Sequence, residues 1–370
     1  MRILEAVSGT GIDGACIHVV QLARELTTRG HAVQVACRPG SWIERELRGS
    51  PVGIVPSDLH RWPTDELKRI ATIVREQDID VVHTHMSRAH FFGVLLRCFS
   101  DVPVVATAHS HRVQPHWMFN DAVIAVSGSV ARFQRTFNRV RRNRLHVVHP
   151  FVDTNRFAPR TDTERRLTSA ALGLVPSAIV VGMVGNIYPQ KGVVEFVRLF
   201  ADIYRAVPHA RLVIVGDGPA DYLAQAKAEA ERCGVAGQIS WTGHRTEMPE
   251  IMSALDVLVV NSRDESFSVV TAEAMACGVP VVARDVGGIA ESVIDGATGF
   301  VVPIRDDRRF VERIVSLLQS PELRAQYGAA GRARAQQHFA VNAQVHKIEA
   351  VLAATRRHRG HQRRGTGAGV

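Results

Sequence analysis

The chain has 370 residues, 46% of them hydrophobic and 22% charged, an ordinary balance for soluble globular structure and long enough for two domains. No apolar stretch reaches the roughly 18–20 residues of a membrane span: the most apolar run, FFGVLL at 91–96, stops at Arg97, and MRILEAV reads as a strand starting at residue 2 with no secretory leader. The net charge of +9 is uneven, with 19 Lys and Arg against 14 Asp and Glu in 1–155, 21 against 22 in 156–355, and five arginines with no acid in 356–370.

In chain order, the strand at 2–7 leads into a glycine-rich turn, SGTGIDG at 8–14, and then a helix whose Val19, Leu22, Ala23 and Leu26 share one face until Gly30 ends it. HAVQVAC is the next strand, Leu67, Ile70, Ala71 and Val74 mark another helix, and IDVVHTH, VPVVATAH at 102–109, AVIAVS at 122–127 and LHVVHP at 145–150 are strands. Continuous apolar strands separated by helices imply a parallel sheet covered on both faces. Residues 152–177 are polar and proline-flanked and read as a connection with a short helix. Alternation resumes at 179 with AIVVGMVG, a helix carrying Phe196, Leu199, Phe200 and Ile203, then RLVIVGDGP, ISWTG, DVLVV, PVVARD and GFVVP. The fold class expected is therefore α/β, with two tandem doubly wound domains facing across a cleft: 1–155, then 156–335, with a C-terminal helix at about 336–355 packing back on the first and a disordered basic tail at 356–370. In such sheets ligands bind beyond the carboxyl ends of the strands. The five cysteines are scattered, odd in number and without CxxC spacing, as expected of reduced core thiols in a cytosolic protein.

Several motifs stand at those strand ends. Gly9-Thr10-Gly11-Ile12-Asp13-Gly14 matches GxGxxG between a strand and a helix, which with Arg38 after the second strand leaves an NADP-dependent oxidoreductase open; the alternatives are an anion or sugar site at a helix start, or a tight turn. In Gly185-Asn186-Ile187-Tyr188-Pro189-Gln190-Lys191-Gly192, Lys191 is a compact cation suited to phosphate. In ESFSVVTAE, Glu265 falls in the loop before a helix and Glu273 about a turn inside it. Between them Ser266 and the amides of Phe267, Ser268 and Val269 suit a diphosphate, while the two carboxylates suit vicinal diols. His83 and His85, like His109 and His111, are read as pairs on opposite strand faces without a recognisable ligand spacing, so no metal is expected. His109 ends a strand, placed either to hydrogen-bond a ligand or to serve the core. The run 132–144, RFQRTFNRVRRNR, has six arginines and no acid; it is a solvated helix face or a surface attracted to anionic lipid or a phosphorylated acceptor. Nucleic acid is not expected, since only Phe133 and Phe137 interrupt the basic run and no nucleic-acid motif appears.

These residues together resemble the retaining glycosyltransferases of family 4, which have the two-domain GT-B fold. The likeness covers nearly the whole chain and is strongest over 262–303, which carries that family's E-x7-E motif. The resemblance implies transfer of a sugar from a UDP- or GDP-sugar to a glycan or lipid-linked acceptor, with retention of configuration, no metal and no cofactor, in surface polysaccharide or lipopolysaccharide synthesis. The expected location is cytoplasmic, with the Arg-rich 132–144 segment and the tail as the features that would hold it peripherally on the inner face of the cytoplasmic membrane. It implies that Glu265 meets the transferred sugar, Glu273 the ribose, Lys191 and the amides of 267–269 the diphosphate, His109 the sugar and Gly14 the diphosphate, with His244 and Arg245 by the base. The chain departs from the family pattern at Asn186, where arginine is usual, leaving Arg245 or Arg263 to compensate, and at His149-Pro150, where Asn-Gly is usual. A non-catalytic nucleotide-sugar-binding protein of the same fold is the further alternative that Asn186 raises.

Overall fold

Strand and helix alternate as the hydrophobic periodicity demands in the structure, a computed structural model that describes residues 1–59, 64–175 and 177–365. The chain divides into two units, Met1–Pro150 with the segment from Asn342 onward, and Phe151–Val341. The first contains β1 (Arg2–Val7), α1 (Gly14–Thr28), β2 (Ala32–Cys37), α2 (Trp42–Leu47), β3 (Gly53–Pro56), α3 (Thr64–Glu76), β4 (Val81–His85), α4 (Ser87–Leu96), β5 (Val104–Ala108), β6 (Ala122–Ala125), α5 (Gly128–Phe137) and β7 (Leu145–Val147). Its seven strands are all parallel, in the order β3-β2-β1-β4-β5-β6-β7. Leu4, Ala6, Val82 and Val104 pack on one face against Leu67, Ile70, Ala71 and Val74 of α3 and Phe92 and Leu96 of α4. The run FFGVLL is therefore part of a covering helix, and no helix among the described residues is long and apolar enough to cross a membrane.

The second unit contains α6 (Asp162–Ala171), β8 (Ile179–Val184), α7 (Val193–Ala206), β9 (Ala210–Val215), α8 (Ala220–Arg232), β10 (Ile239–Gly243), α9 (Met248–Ala254), β11 (Val257–Val260), α10 (Val269–Ala276), β12 (Val281–Arg284), α11 (Ile289–Ser292), β13 (Gly299–Val302), α12 (Asp307–Gln319) and α13 (Pro321–His338). Six parallel strands run in the order β10-β9-β8-β11-β12-β13. Phe196, Phe200 and Ile203 of α7 and Phe310, Ile314 and Leu317 of α12 are buried together against one face of this sheet. In each sheet the chain reverses its direction of strand addition once, between β1 and β4 and between β8 and β11. That reversal parts the loops at the strands' carboxyl ends and leaves a crevice where ligands bind in this architecture.

The unit boundaries fall at 150/151 and 341/342, where the sequence reading set 155/156 and 335/336. A backbone tie accounts for the shift: Val152 N–H donates to the Phe339 carbonyl at 2.8 Å, with a parallel bridge between Val152 and Ala340. From there α14 (Val341–Gly365) joins the first unit, where Glu349 pairs with Arg29 at 3.2 Å and with His31 at 2.8 Å. The basic tail differs from expectation. Residues 356–365 continue α14, and Arg356 pairs with Asp80 at 3.0 Å; an arginine-rich run without proline propagates a helix already nucleated by packing. Residues 366–370 lie outside the described residues.

Candidate functional site

In the second unit, the loops after β8 and β11 leave neighbouring strands at the reversal point. The first delivers Lys191 and the second Glu265. Lys191 ends a 3₁₀ turn, Pro189–Lys191, whose exit requires Gly192 in the left-handed region at φ 65°. A Cβ there would sit 2.5 Å from the Asn261 carbonyl oxygen. Asn261 holds that turn, its Nδ2 donating to the Gly192 carbonyl at 2.8 Å while Arg284 Nε donates to its Oδ1 at 2.9 Å. Arg284 is itself buried, paired with Asp307 and stacked 3.9 Å from the centre of the Phe310 ring. The apolar-looking strand β12 thus ends in a buried cation that, through Asn261, fixes the Lys191 turn, a long-range link invisible to local sequence pattern.

Lys191 Nζ donates to Glu265 Oε1 at 2.6 Å, and Ser262 Oγ donates to the same oxygen at 2.7 Å. Two residues read from sequence as serving different parts of a ligand are an ion pair with each other. Glu265 is 8% exposed, and its Oε2 has no partner among the described residues. A cavity of about 20 Å³ lies alongside, lined by Gly185, Asn186, Lys191 and Glu265 among others. The backbone of Glu265 is clasped in turn by the Gly287-Gly288 dipeptide after β12. Gly288 N–H donates to the Glu265 carbonyl at 3.0 Å.

The helix that follows Glu265 begins at Val269, with Ser268 as its N-cap at φ 72°. The N–H groups of Ser268, Val269 and Val270 make no backbone hydrogen bond among the described residues, as the first turn of any helix dictates. What is unusual is Ser268 Oγ, which is buried without a hydrogen-bond partner. A buried polar atom is normally satisfied, so this hydroxyl and the amides beside it form a donor cluster shaped for an anion. The Phe267 side chain is core, 2% exposed and edge-on to Phe339 with ring centres 5.2 Å apart; only its backbone is placed to serve the site. Ser266 is half-buried in the same turn. Glu273 sits one turn into α10, as read from sequence, and burial raises its carboxyl to about 7, partly offset by Arg156.

Asn186 is exposed just past β8, its carbonyl accepting from Tyr188 N–H at 3.1 Å. Neither arginine named as a stand-in for it is idle: Arg245 pairs with Glu247, and Arg263 donates to Glu195 at 2.7 Å. Arg245 Nε is nonetheless buried without a hydrogen-bond partner. His244 N–H donates to Asp217 at 3.0 Å in the loop after β10.

In the first unit the GxGxxG run divides by role. A Cβ on Gly9 would lie 2.4 Å from Cys16 Sγ and 2.7 Å from Met86 Sδ, whereas one on Gly11 or Gly14 would meet nothing within 4 Å. Gly14 is exposed as the first residue of α1, and Asp13 caps that helix through Cys16 N–H at 2.9 Å. His109 is half-buried just past the end of β5. The histidine pairing differs from the sequence reading. His83 and His85 lie on the same face of β4, both bonded to Glu5, at 3.0 and 2.8 Å. A strand's two-residue period demands that for residues i and i+2. The pair was missed because Glu5 lies inside the apolar strand RILEAV; a buried acid in such a strand is itself the signal for a partner. Glu5, His83 and His85 also bring three potential ligand atoms within 4.8 Å of one another.

On another surface of this unit, a pocket of about 400 Å³ is lined by Arg97, Arg139, Arg141, Arg144, Met118 and Phe119 among others. The guanidinium groups of Arg139 and Arg141 form no hydrogen bond or ion pair among the described residues, and both side chains are exposed.

Comparison with known proteins matches both units. The family model described as Glycosyltransferase Family 4 covers residues 12–156, and that described as Glycosyl transferases group 1 covers residues 164–334. The chain is 30% identical to the D-inositol 3-phosphate glycosyltransferase of Mycobacterium marinum (strain ATCC BAA-535 / M), over 95% of this chain and 83% of the relative. It is 33% identical to the lipopolysaccharide core biosynthesis mannosyltransferase LpsB of Rhizobium meliloti (strain 1021), over 67% of this chain and 71% of the relative. Among solved structures, Anabaena HepE in complex with UDP and glucose aligns at a TM-score of 0.85 and 21% identity, over 96% of this chain and all of that one, a likeness of fold.

Proposed function

This chain belongs to the family 4 glycosyltransferases of GT-B fold, and from that premise we propose that it transfers a sugar from a UDP- or GDP-sugar to a hydroxyl of a glycan or lipid-linked acceptor, with retention of configuration and without a metal ion. The observation that carries the donor assignment is the helix start at α10: three amides and a buried Ser268 hydroxyl without a partner, beside Lys191. A diphosphate supplies the anion those donors face. It draws Lys191 Nζ toward its oxygens, and Glu265 Oε2 accepts a hydrogen bond from a sugar hydroxyl. As the bond from the anomeric carbon to the diphosphate oxygen breaks, negative charge grows on the leaving group, and Lys191 with the α10 amides stabilises it. The acceptor oxygen bonds to the anomeric carbon from the same face, and its proton passes to the departing diphosphate. Glu273 serves the ribose diol, and His109 a hydroxyl of the sugar. With Asn186 in place of an arginine, the phosphates rest on Lys191 and the α10 amides, with Arg245 able to contribute only if it leaves Glu247. The oxidoreductase alternative loses its ground, since Gly9 is explained by packing against Cys16 and Met86.

The names of relatives that act on lipopolysaccharide core and inositol phosphate motivate the test panel. Purified protein is expected to gain several degrees in melting temperature with one UDP- or GDP-sugar near 100 times its Kd, since that occupancy stabilises by about 2.7 kcal/mol. The same donor should be hydrolysed slowly without acceptor, and product NMR should show the anomeric configuration kept. If no UDP- or GDP-sugar stabilises the protein while NADP does, the proposal is wrong.

We further propose that the protein works at the cytoplasmic membrane face, held by the arginine-lined pocket. Arg139 and Arg141 offer unneutralised charge beside exposed Met118 and Phe119, which suits a lipid phosphate with its chain nearby. Each arginine near an anionic surface contributes about 1 kcal/mol, so replacing both by alanine is expected to weaken sedimentation with phosphatidylglycerol vesicles by roughly 30-fold. Equal binding to neutral phosphatidylcholine vesicles rules the idea out.

A further inference from the structure

The role proposed for His109 depends on which of its ring nitrogens carries a proton, and the interior of the first unit decides that. β1, β4 and β5 are parallel neighbours, with Glu5 in register with His83, Val7 with His85, and His85 with Thr107. Since side chains alternate along each strand, Glu5, His83, His85 and Thr107 all project from one face. All four are buried, and His109 follows two positions beyond Thr107. The bonds are specific. His85 Nε2 lies 2.8 Å from Glu5 Oε2, His83 Nδ1 lies 3.1 Å from Glu5 Oε1, His83 Nε2 lies 2.7 Å from Thr107 Oγ1, and His85 Nδ1 lies 3.1 Å from His109 Nε2.

We infer that Glu5 and His85 form a positioning relay that fixes the tautomer of His109 and leaves its Nδ1 as a bare acceptor at the carboxyl end of β5, ready for a hydroxyl of the bound sugar. The assignment follows by elimination. An ionised carboxylate only accepts, so His83 Nδ1 and His85 Nε2 both donate to Glu5. A neutral His85 then has only a lone pair at Nδ1, so His109 Nε2 must donate to it. A neutral His109 in turn keeps a lone pair at Nδ1. The charge states agree with this. Burial alone would raise the Glu5 carboxyl, but the charge and hydrogen bonds of His83 and His85 outweigh it and hold it at about 2. Burial lowers His85 to about 4 and takes His109 well below the usual imidazole value, with His18 and His85 adding to the effect on His109. The titratable groups facing this chain are Glu5 from β1, His83 from β4, His18 from α1, whose ring centre is 5.9 Å from that of His85 and 5.4 Å from that of His109, and His90 from α4. A strand interior could hold valine more simply, since a buried ionic network seldom outperforms apolar packing for stability. The network is better explained by the acceptor it presents. Glu5, His83 and His85 also meet the spacing of a metal site, and a cation there would have to replace the hydrogen bonds of 2.8–3.1 Å that join them.

This inference rests on the proposed sugar contact of His109, but its test does not need substrate. In full-length protein labelled with 15N-histidine, two-bond 1H–15N spectra identify tautomers, with the His109 signals assigned by their loss in His109→Asn. The expected result is a single neutral form of His109 with its proton on Nε2, unchanged from pH 5.5 to 8. In Glu5→Gln and His85→Gln, whichever folds, it should give way to mixed tautomers or to titration inside that range. Transfer in Glu5→Gln should fall roughly 10- to 100-fold, by analogy with groups that orient metal-bound imidazoles. A proton on Nδ1, a charged His109 at pH 6.5 in the native protein, or one bound metal per chain by elemental analysis each overturns the relay. Because the native spectrum decides, a variant that fails to fold leaves the test intact. A correct tautomer with no sugar transfer by the native enzyme would refute the proposed function and spare the relay.

Discussion

Replacing Glu265 by glutamine is expected to lower kcat for sugar transfer by roughly 100- to 1000-fold, the usual cost of removing one preorganised group at a reacting centre. The size and the backbone clasp are retained, so the loss isolates the charge. In the native site Oε1 receives Lys191 at 2.6 Å and Ser262 at 2.7 Å, so under the proposed function a donor diphosphate would compete with this carboxylate for the ammonium. A neutral amide can still accept one of those bonds, but its nitrogen turns a donor either toward Lys191 or toward the sugar hydroxyl that Oε2 would accept. Affinity for the free nucleoside diphosphate, read by calorimetry, should hold or rise, because Lys191 is no longer restrained by a carboxylate. Ser262→Ala removes one hydrogen bond to that anion, worth about 1.5–3 kcal/mol, but leaves the charge, and should cost roughly 10- to 100-fold. A Glu265→Gln enzyme with kcat within threefold of native would remove this carboxylate from the transferred sugar.

The alternation that fixes both sheets was legible because each helix shows its buried face at 3.6-residue spacing. Leu67, Ile70, Ala71 and Val74 are all buried on α3, and Phe196, Phe200 and Ile203 on α7. Since ligands gather at the carboxyl ends of parallel strands, locating β8, β11 and β5 was enough to single out Lys191, Glu265 and His109. What escaped is mostly long-range. β3 was passed over because GIVP is four residues with a glycine and a proline, permissible only on the edge it occupies. The Lys191–Glu265 pair joins residues 74 positions apart, and no local pattern reports a contact between two loops. Arg284 looked like the end of a strand, and its buried stacking on Phe310 depends on a helix that follows 23 residues later. The histidine faces could have been read correctly from the strand period alone. The helical continuation past residue 355 was obscured by composition, since a run of arginines reads as solvated whether or not a packed helix leads into it.

A second large effect is expected from Gly287→Ala, which touches no ligand. Gly287 has φ 54°, and a Cβ built on it falls 1.6 Å from the carbonyl oxygen of Glu265 and 2.7 Å from the carbonyl carbon. The left-handed backbone alone costs alanine about 1–2 kcal/mol. The overlap is with backbone, so no side-chain rotamer relieves it; either the loop that carries Glu265 moves or the 287–288 turn lets go of it, losing the bond from Gly288 N–H at 3.0 Å. The combined destabilisation should exceed about 3 kcal/mol, which lowers the melting temperature of a domain this size by roughly 10 °C. Gly296→Ala supplies the comparison, because Gly296 has φ 72° but a Cβ there meets nothing within 4 Å. It should show the conformational cost without the collision, a shift of about 3–6 °C. The two variants also differ in function. If the glycine pair exists to hold Glu265 in place, donor-induced stabilisation should vanish in Gly287→Ala at temperatures where the protein is still folded, and persist in Gly296→Ala. Equal melting shifts in the two variants, with donor stabilisation intact in both, would mean that the loop yields freely and that Glu265 is positioned by Lys191 and Ser262 instead.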